Sequence, residues 1–138
     1  MPHADTSAKL LWSNQGSGIG TTLTVSGNSS TATAPTIDLR YVSSLWLAVD
    51  VTGSPGGTTP TLDVYLDVRD AAGNWFTQVA HATPQLTTAA GTAQTSAGLD
   101  LPVGTGFAPM VLPEYGRVSW VLSGTNPSYS AVISLYGR

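Results

Sequence analysis

The sequence predicts an all-β protein, an antiparallel β-sandwich of jelly-roll-like type with about eight strands. Three observations predict it. Apolar and polar residues alternate at period two, most clearly over 61–69, where Leu62, Val64, Leu66 and Val68 take one side and Asp63, Tyr65, Asp67 and Arg69 the other. Fifteen glycines and nine prolines punctuate the chain, and no window sustains the 3.6-residue repeat of an amphipathic helix. Charged residues make up only 9% of the chain, so its contact with water falls largely to Thr, Ser and Gly.

The elements follow in order. Residues 9–12 form a short apolar piece. Residues 21–25 alternate Thr with Leu23 and Val25, and 36–39 place Ile37 and Leu39 on one side. Over 44–51 the residues Leu45, Leu47, Val49 and Val51 share one face, with Trp46, Ala48 and Asp50 on the other. The strand over 61–69 ends in Asp70-Ala71-Ala72-Gly73-Asn74, a tight turn with Gly73 free to take positive φ. A strand resumes at 75–80. Residues 81–116 carry four prolines (84, 102, 109 and 113) and are expected to hold one or two short strands in long loops. Residues 117–123 and 128–136 read as a closing hairpin.

One phrase occurs twice. Gly57-Thr58-Thr59-Pro60 and Gly124-Thr125-Asn126-Pro127 each follow an apolar run and precede an alternating one. As turn grammar, glycine permits the reversal, and proline, which cannot donate a ladder hydrogen bond, opens the return strand. Two similar hairpins and an internal duplication both account for the repeat. Inward faces at 45/47/49 and at 62/64/66/68 predict two sheets packed across one core.

A chain of 138 residues suits one domain, here an N-terminal arm over 1–14 and a sandwich over 15–138. There is no cysteine, hence no disulfide, thiolate metal site or thiol nucleophile. A net charge of −3 gives no basic footprint for nucleic acid, and no apolar run reaches the ~20 residues of a membrane span. The start of the chain does not read as a secretory signal. An exposed-type β domain without an export address is the expected profile of a virion component made in a host cytoplasm.

Constellations for chemistry are weak, and no catalytic residue, cofactor or metal is expected. Asp63 and Asp67 stand four apart on one strand face, about 13 Å, too far for a glycosidase pair. Asp50 on a neighbouring strand would make a calcium cluster conceivable, against the simpler reading of a solvated face with Arg69 as counter-charge. His3 and His81 lack metal-ligand spacing, and no G-x-S-x-G elbow is present. Gly16-Ser17-Gly18-Ile19-Gly20 lacks the strand-to-helix context of a phosphate loop and reads as a flexible connector. Four tryptophans and five tyrosines remain. Trp46 and Tyr65 stand opposite the aliphatic faces of their strands, and Leu10, Leu11 and Trp12 end the arm. Core filling, a subunit interface and a ligand platform are open to them. An interface over Leu10, Leu11, Trp12, Trp46 and Tyr65 is the preferred expectation, since aromatics concentrate at interface hot spots.

The stretches Leu45-Trp46-Leu47-Ala48-Val49-Asp50-Val51-Thr52-Gly53, Gly57-Thr58-Thr59-Pro60-Thr61-Leu62-Asp63-Val64 and Gly73-Asn74-Trp75-Phe76 resemble small virion proteins of tailed bacteriophages, as does Arg117 through Ser130. The resemblance covers about 44–80 and 117–136. It implies a capsid decoration, or cement, protein: a homotrimeric β-sandwich on the outer surface of the head that bridges subunits of the major capsid protein, without enzymatic activity. Such a protein gains residence by multivalency, and the arm over 1–14 is expected to order on the shell or on a neighbouring protomer. The alternatives are a carbohydrate- or receptor-binding β-module of a tail or fibre, and a tail-tube or head–tail connector subunit.

Overall fold

The computed structural model describes residues 8–82 and 113–138, together with the strand backbone at 86–87 and 93–100. Ten strands run through these residues: β1 (Lys9–Ser13), β2 (Thr22–Thr24), β3 (Ser30–Thr33), β4 (Ile37–Asp38), β5 (Ser44–Val51), β6 (Gly56–Arg69), β7 (Trp75–His81), β8 (Leu86–Thr87), β9 (Ala93–Asp100) and β10 (Tyr115–Gly137). Every pairing is antiparallel.

The last strand is the spine. Along one edge β10 pairs in turn with β1, β2, β3 and β4. Along the other it pairs with β5 through Gly137 to Ala131 and with β6 through Ser128 to Tyr115. Beyond β5 lies β9; beyond β6 lie β7 and β8. The result is a curled sheet bent across its middle, with two half-sheets facing each other as a sandwich.

The expected closing hairpin is therefore corrected: 117–123 and 128–136 are two parts of one bent strand, not partners. The expected turn at 57–60 is corrected likewise, because these residues lie inside β6. The two Gly-Thr-x-Pro phrases face each other at the bend, with Thr58 opposite Thr125 and the register shifting on both sides of that pair. Gly57 and Gly124 take φ of +94° and +110°, and Thr59 and Asn126 both take +47°. A Cβ on Gly57 would stand 2.5 Å from the Asn126 carbonyl oxygen, and one on Gly124 would stand 2.6 Å from that of Thr59. Two adjacent strands must bend on one line, and each uses the same bulged phrase to do so. Asn126 extends the bend to the third lane: its N–H donates to the Gly27 carbonyl (2.7 Å) and its Oδ1 accepts from the Gly27 N–H (2.9 Å).

The bulges also reset the phase of the side chains. In β10 the inward positions are Val118, Trp120 and Leu122 before the bend, then Tyr129, Ala131, Ile133 and Leu135 after it. Along the neighbouring lane they change from Leu45, Leu47, Val49 and Val51 to Leu62, Val64, Leu66 and Val68. Without the inserted residues one half would turn its apolar face to water. These side chains form one core, as the alternation of β5 and β6 predicts.

Local anchors complete the frame. The turn after β6 closes as expected: the Asp70 N–H donates to the Asn74 carbonyl (3.0 Å), the Asn74 N–H donates to Asp70 Oδ1 (2.8 Å), and Gly73 has φ +91°. The glycine-rich stretch at 16–20, expected as a flexible connector, is pinned by fully buried Asn14. That amide donates to the carbonyls of Gly20 (3.1 Å) and Ala131 (2.8 Å) and accepts from the Ile133 N–H (2.8 Å). β3 forms where the sequence shows no alternation; it exists by pairing with the spine from Ser119 to Leu122. Of the expected arm, Lys9–Ser13 is strand β1, and residues 1–7 lie outside the described residues.

Candidate functional site

Two outward faces carry side chains of functional interest, one on each half-sheet. On the β1–β10–β5 half, Tyr136 pairs with Leu10 on one side and with Trp46 on the other. The Trp46 and Tyr136 rings meet at 5.2 Å, and Leu10 and Trp46 are 56% and 45% exposed. Trp46 thus points outward as the alternation of β5 requires. Leu11 and Trp12, by contrast, pack against the core, and Trp12 stacks on the buried Trp120 at 6.1 Å. The five residues expected at an interface are therefore divided. Leu10 and Trp46 share one exposed patch with Tyr136, Leu11 and Trp12 serve the core, and Tyr65 stands on the other half-sheet.

The β7–β6–β10–β4 half collects a large part of the scarce charge. Cross-strand pairing sets Asp38, Tyr115, Arg69 and Trp75 in one row. The guanidinium carbon of Arg69 lies 4.5 Å from the Tyr115 ring centroid and 5.5 Å from that of Trp75. Arg117 stacks on Trp75 at 3.9 Å, and Arg40 approaches Tyr115 at 5.6 Å. The row alternates arginine and aromatic ring, each cation lying against a ring whose π-face attracts it.

Two carboxylates hold the ends of this row. Asp38 accepts Arg40 Nη2 at 2.7 Å, and that hydrogen bond holds the Asp38 carboxyl down at about 2. Asp67, read from sequence as part of a solvated face, is 1% exposed. Its Oδ1 accepts the Gln78 N–H (2.8 Å) and the Ser119 hydroxyl (3.0 Å), and its Oδ2 accepts Arg117 Nε (3.0 Å). β7 makes this possible by bulging. Leu66 pairs with Ala80 and Val68 with Phe76, so Thr77, Gln78 and Val79 stand opposite Asp67 alone. Gln78 takes φ +58° and turns its N–H onto the carboxylate.

Arg69 differs from its neighbours. Arg40 and Arg117 are paired with Asp38 and Asp67, whereas among the described residues no carboxylate forms an ion pair with Arg69. It is half-buried between its two rings. Further along the face, His81 Nε2 stands 3.1 Å from Asp63 Oδ1, and the imidazole stacks on Tyr65 at 4.5 Å. Burial raises the Tyr65 phenol above its ordinary pKa, and the Asp63 charge adds to the shift. The conceived cluster of Asp50, Asp63 and Asp67 does not form: Asp50 lies on β5 in the other half-sheet, which pairs with β9 and β10. Among the described residues no group of three His, Asp or Glu side chains is placed to hold a metal ion.

A cleft of about 210 Å³ opens between β2 and β3 towards the core, lined by Ile19, Leu23, Val25, Ala32, Trp120 and Leu122, with the hydroxyl residues Thr22, Thr24 and Ser30. Among the described residues its lining offers apolar contact and hydroxyls but no titratable group.

No protein family matches the chain, and no curated protein matches it. Solved structures do. A chain in the structure of infectious bursal disease virus, Gx strain, superposes with a TM-score of 0.57 at 14% identity, over 84% of this chain and 28% of that one. The enzymatically active domain of bacteriophage CBA120 tailspike protein 4 gives 0.49 at 16% identity, over 84% of this chain and 15% of that one. The CBM22-1 xylan-binding domain of Paenibacillus barcinonensis Xyn10C gives 0.47 at 12% identity, over 97% and 96%. The chain thus spans 28% of the virus chain it superposes on. The likeness is one of fold, and that fold is the all-β sandwich expected from sequence.

Proposed function

We propose that this chain is a structural module of a bacteriophage virion, of the capsid decoration type, and that it docks on a protein shell through the outer face of the β1–β10–β5 half. The observation that carries the reading is the exposed Leu10–Tyr136–Trp46 patch. Tyr41, Phe76 and Ile19 are exposed as well, but here an aromatic pair flanked by leucine forms one patch, the kind of anchor that fills a partner's pocket. The sequence resemblance to small tailed-phage virion proteins names the occupant: the major capsid protein of the head. A homotrimer presenting three such patches would convert modest single contacts into long residence on a repetitive shell. No reaction is assigned to the chain in this reading.

Co-sedimentation of the purified chain with empty capsids, with light scattering for its mass in solution, tests the proposal. Saturable binding that weakens about tenfold or more in Trp46→Ser, the loss expected for one hot-spot aromatic, supports it. Absence of co-sedimentation, or undiminished binding by Trp46→Ser, overturns it.

A further inference from the structure

We propose that the outer face of the β7–β6–β10 half is a second binding site, for a carboxylate-bearing saccharide, with Arg69 as the residue that takes the carboxylate. The site is separate from the shell-docking patch and does not depend on it.

Three features of Arg69 point to an anion. It is half-buried between Tyr115 (4.5 Å) and Trp75 (5.5 Å), so its position is set by rings and not by an acid. A guanidinium held against ring faces keeps its in-plane N–H groups free, and these form the planar fork that matches a carboxylate. Among the described residues it has no ion-pair partner, while Arg40 and Arg117 beside it do. Among the described residues the charges of Arg40 and Arg117 are each met by a carboxylate and that of Arg69 is not, which leaves it for a ligand.

The frame around Arg69 is preorganised from below. Buried Asp67, bonded to Gln78, Ser119 and Arg117, fixes Arg117 on Trp75, and Trp75 forms one wall of the Arg69 slot. On the other side the Asp38–Arg40 pair sits against Tyr115, the opposite wall. Little side-chain freedom remains to be lost on binding.

The chemistry of the surroundings narrows the ligand. Among the described residues the face offers one arginine without an ion pair, with Asn74 and Thr77, both exposed, near Trp75 in the chain. A phosphate dianion or an acidic peptide is best met by several cations. One guanidinium among aromatic edges, amides and hydroxyls fits a polymer bearing one carboxylate per hydroxylated ring, a uronate-type polysaccharide.

The test is calorimetric titration of the full chain, with Trp fluorescence as a second readout, against polygalacturonate, its fully methyl-esterified form and poly-glutamate. The proposal expects binding to polygalacturonate, loss of about tenfold or more on esterification, and a similar loss in Arg69→Gln. Arg69→Lys keeps the charge without the fork and is expected to fall between wild type and Arg69→Gln. Lys9→Gln, which removes a cation from β1 in the other half-sheet, is expected to retain binding. No binding to polygalacturonate overturns the proposal, as does equal or tighter binding to poly-glutamate, which would make the face an acidic-peptide site. Undiminished binding by folded Arg69→Gln and Arg69→Lys also overturns it. Trp46→Ser is expected to bind saccharide normally and Arg69→Gln to bind capsids normally, so failure of one reading leaves the other measurable.

Discussion

Gly57 and Gly124 face each other's strand across the bend, and neither has room for a methyl group. A Cβ on Gly57 would meet the Asn126 carbonyl oxygen at 2.5 Å and that of Thr125 at 2.7 Å; one on Gly124 would meet those of Thr59 at 2.6 Å and Thr58 at 2.7 Å. The obstacles are backbone atoms paired across two strands, so neither can move without opening the ladder. Each glycine also holds a positive φ that an L-residue adopts at a cost of about 1–2 kcal/mol.

Gly57→Ala and Gly124→Ala are therefore each expected to destabilise the fold by about 3 kcal/mol or more, combining the backbone cost with the clash. The double variant is expected to lose less than the sum, because both substitutions open the same ladder. Gly53→Ala is the control: its nearest neighbours are the Ser130 side-chain atoms at 3.7 and 3.9 Å, ordinary contact, and it is expected to stay within about 0.5 kcal/mol of wild type. Urea unfolding followed by Trp fluorescence reads all four. Equal midpoints for Gly53→Ala and Gly57→Ala would refute this account of the bend.

Much of the fold is legible in the sequence, for a definite reason. β5 occupies Ser44–Val51 as the alternation indicates, since period two with one apolar face has one solution in a sandwich. The Gly-Thr-x-Pro phrases misled because glycine and proline mark reversals and bulges alike. What separates the two is a second backbone passing at close range, and sequence does not display that. The usable signal was that the phrase occurs twice, as strands bending side by side require. The arginine–aromatic row was not legible at all. Tyr115, Arg69 and Trp75 are neighbours only because β10, β6 and β7 lie in that order, and Asp67 is buried only because β7 bulges over it. Alternation placed Asp67 on the correct face but gave the wrong surroundings.

Asp67 offers a test of that buried network. Its carboxylate accepts three hydrogen bonds, one from a side chain that carries charge. Asp67→Asn keeps the size, loses the ion pair, and turns an N–H₂ group towards a donor. Breaking a buried pair on one side costs about 3–5 kcal/mol; with Arg117 23% exposed and partly hydrated, about 2–3 kcal/mol is expected. Arg117→Met should cost at least as much, because it leaves the buried carboxylate of Asp67 with two neutral donors and no counter-charge. Chemical denaturation of the two variants gives the comparison, and a clearly milder effect for Arg117→Met than for Asp67→Asn would contradict the arrangement.

Tyr129 links the core to alkaline pH. It is 1% exposed, and burial, with the Asp63 charge adding to it, pushes its phenol from 10.0 up to about 12. The folded chain thus holds the phenolic proton more tightly than the unfolded chain does. The resulting stabilisation is complete below the unfolded pKa near 10 and is lost as pH rises through the folded value near 12. Two pKa units correspond to about 2–3 kcal/mol. Unfolding free energy measured from pH 8 to 12 is expected to be flat at first and then to fall steeply above pH 10. Tyr129→Phe, whatever its stability at pH 8, is expected to fall less steeply there, with the raised Tyr65 phenol left to contribute in the same direction. Absorbance titration at 295 nm should show one tyrosine fewer ionising late in Tyr129→Phe than in wild type. An unchanged alkaline slope in that variant would mean that another group carries the dependence and that the Tyr129 hydroxyl is not shielded as its position in the core demands.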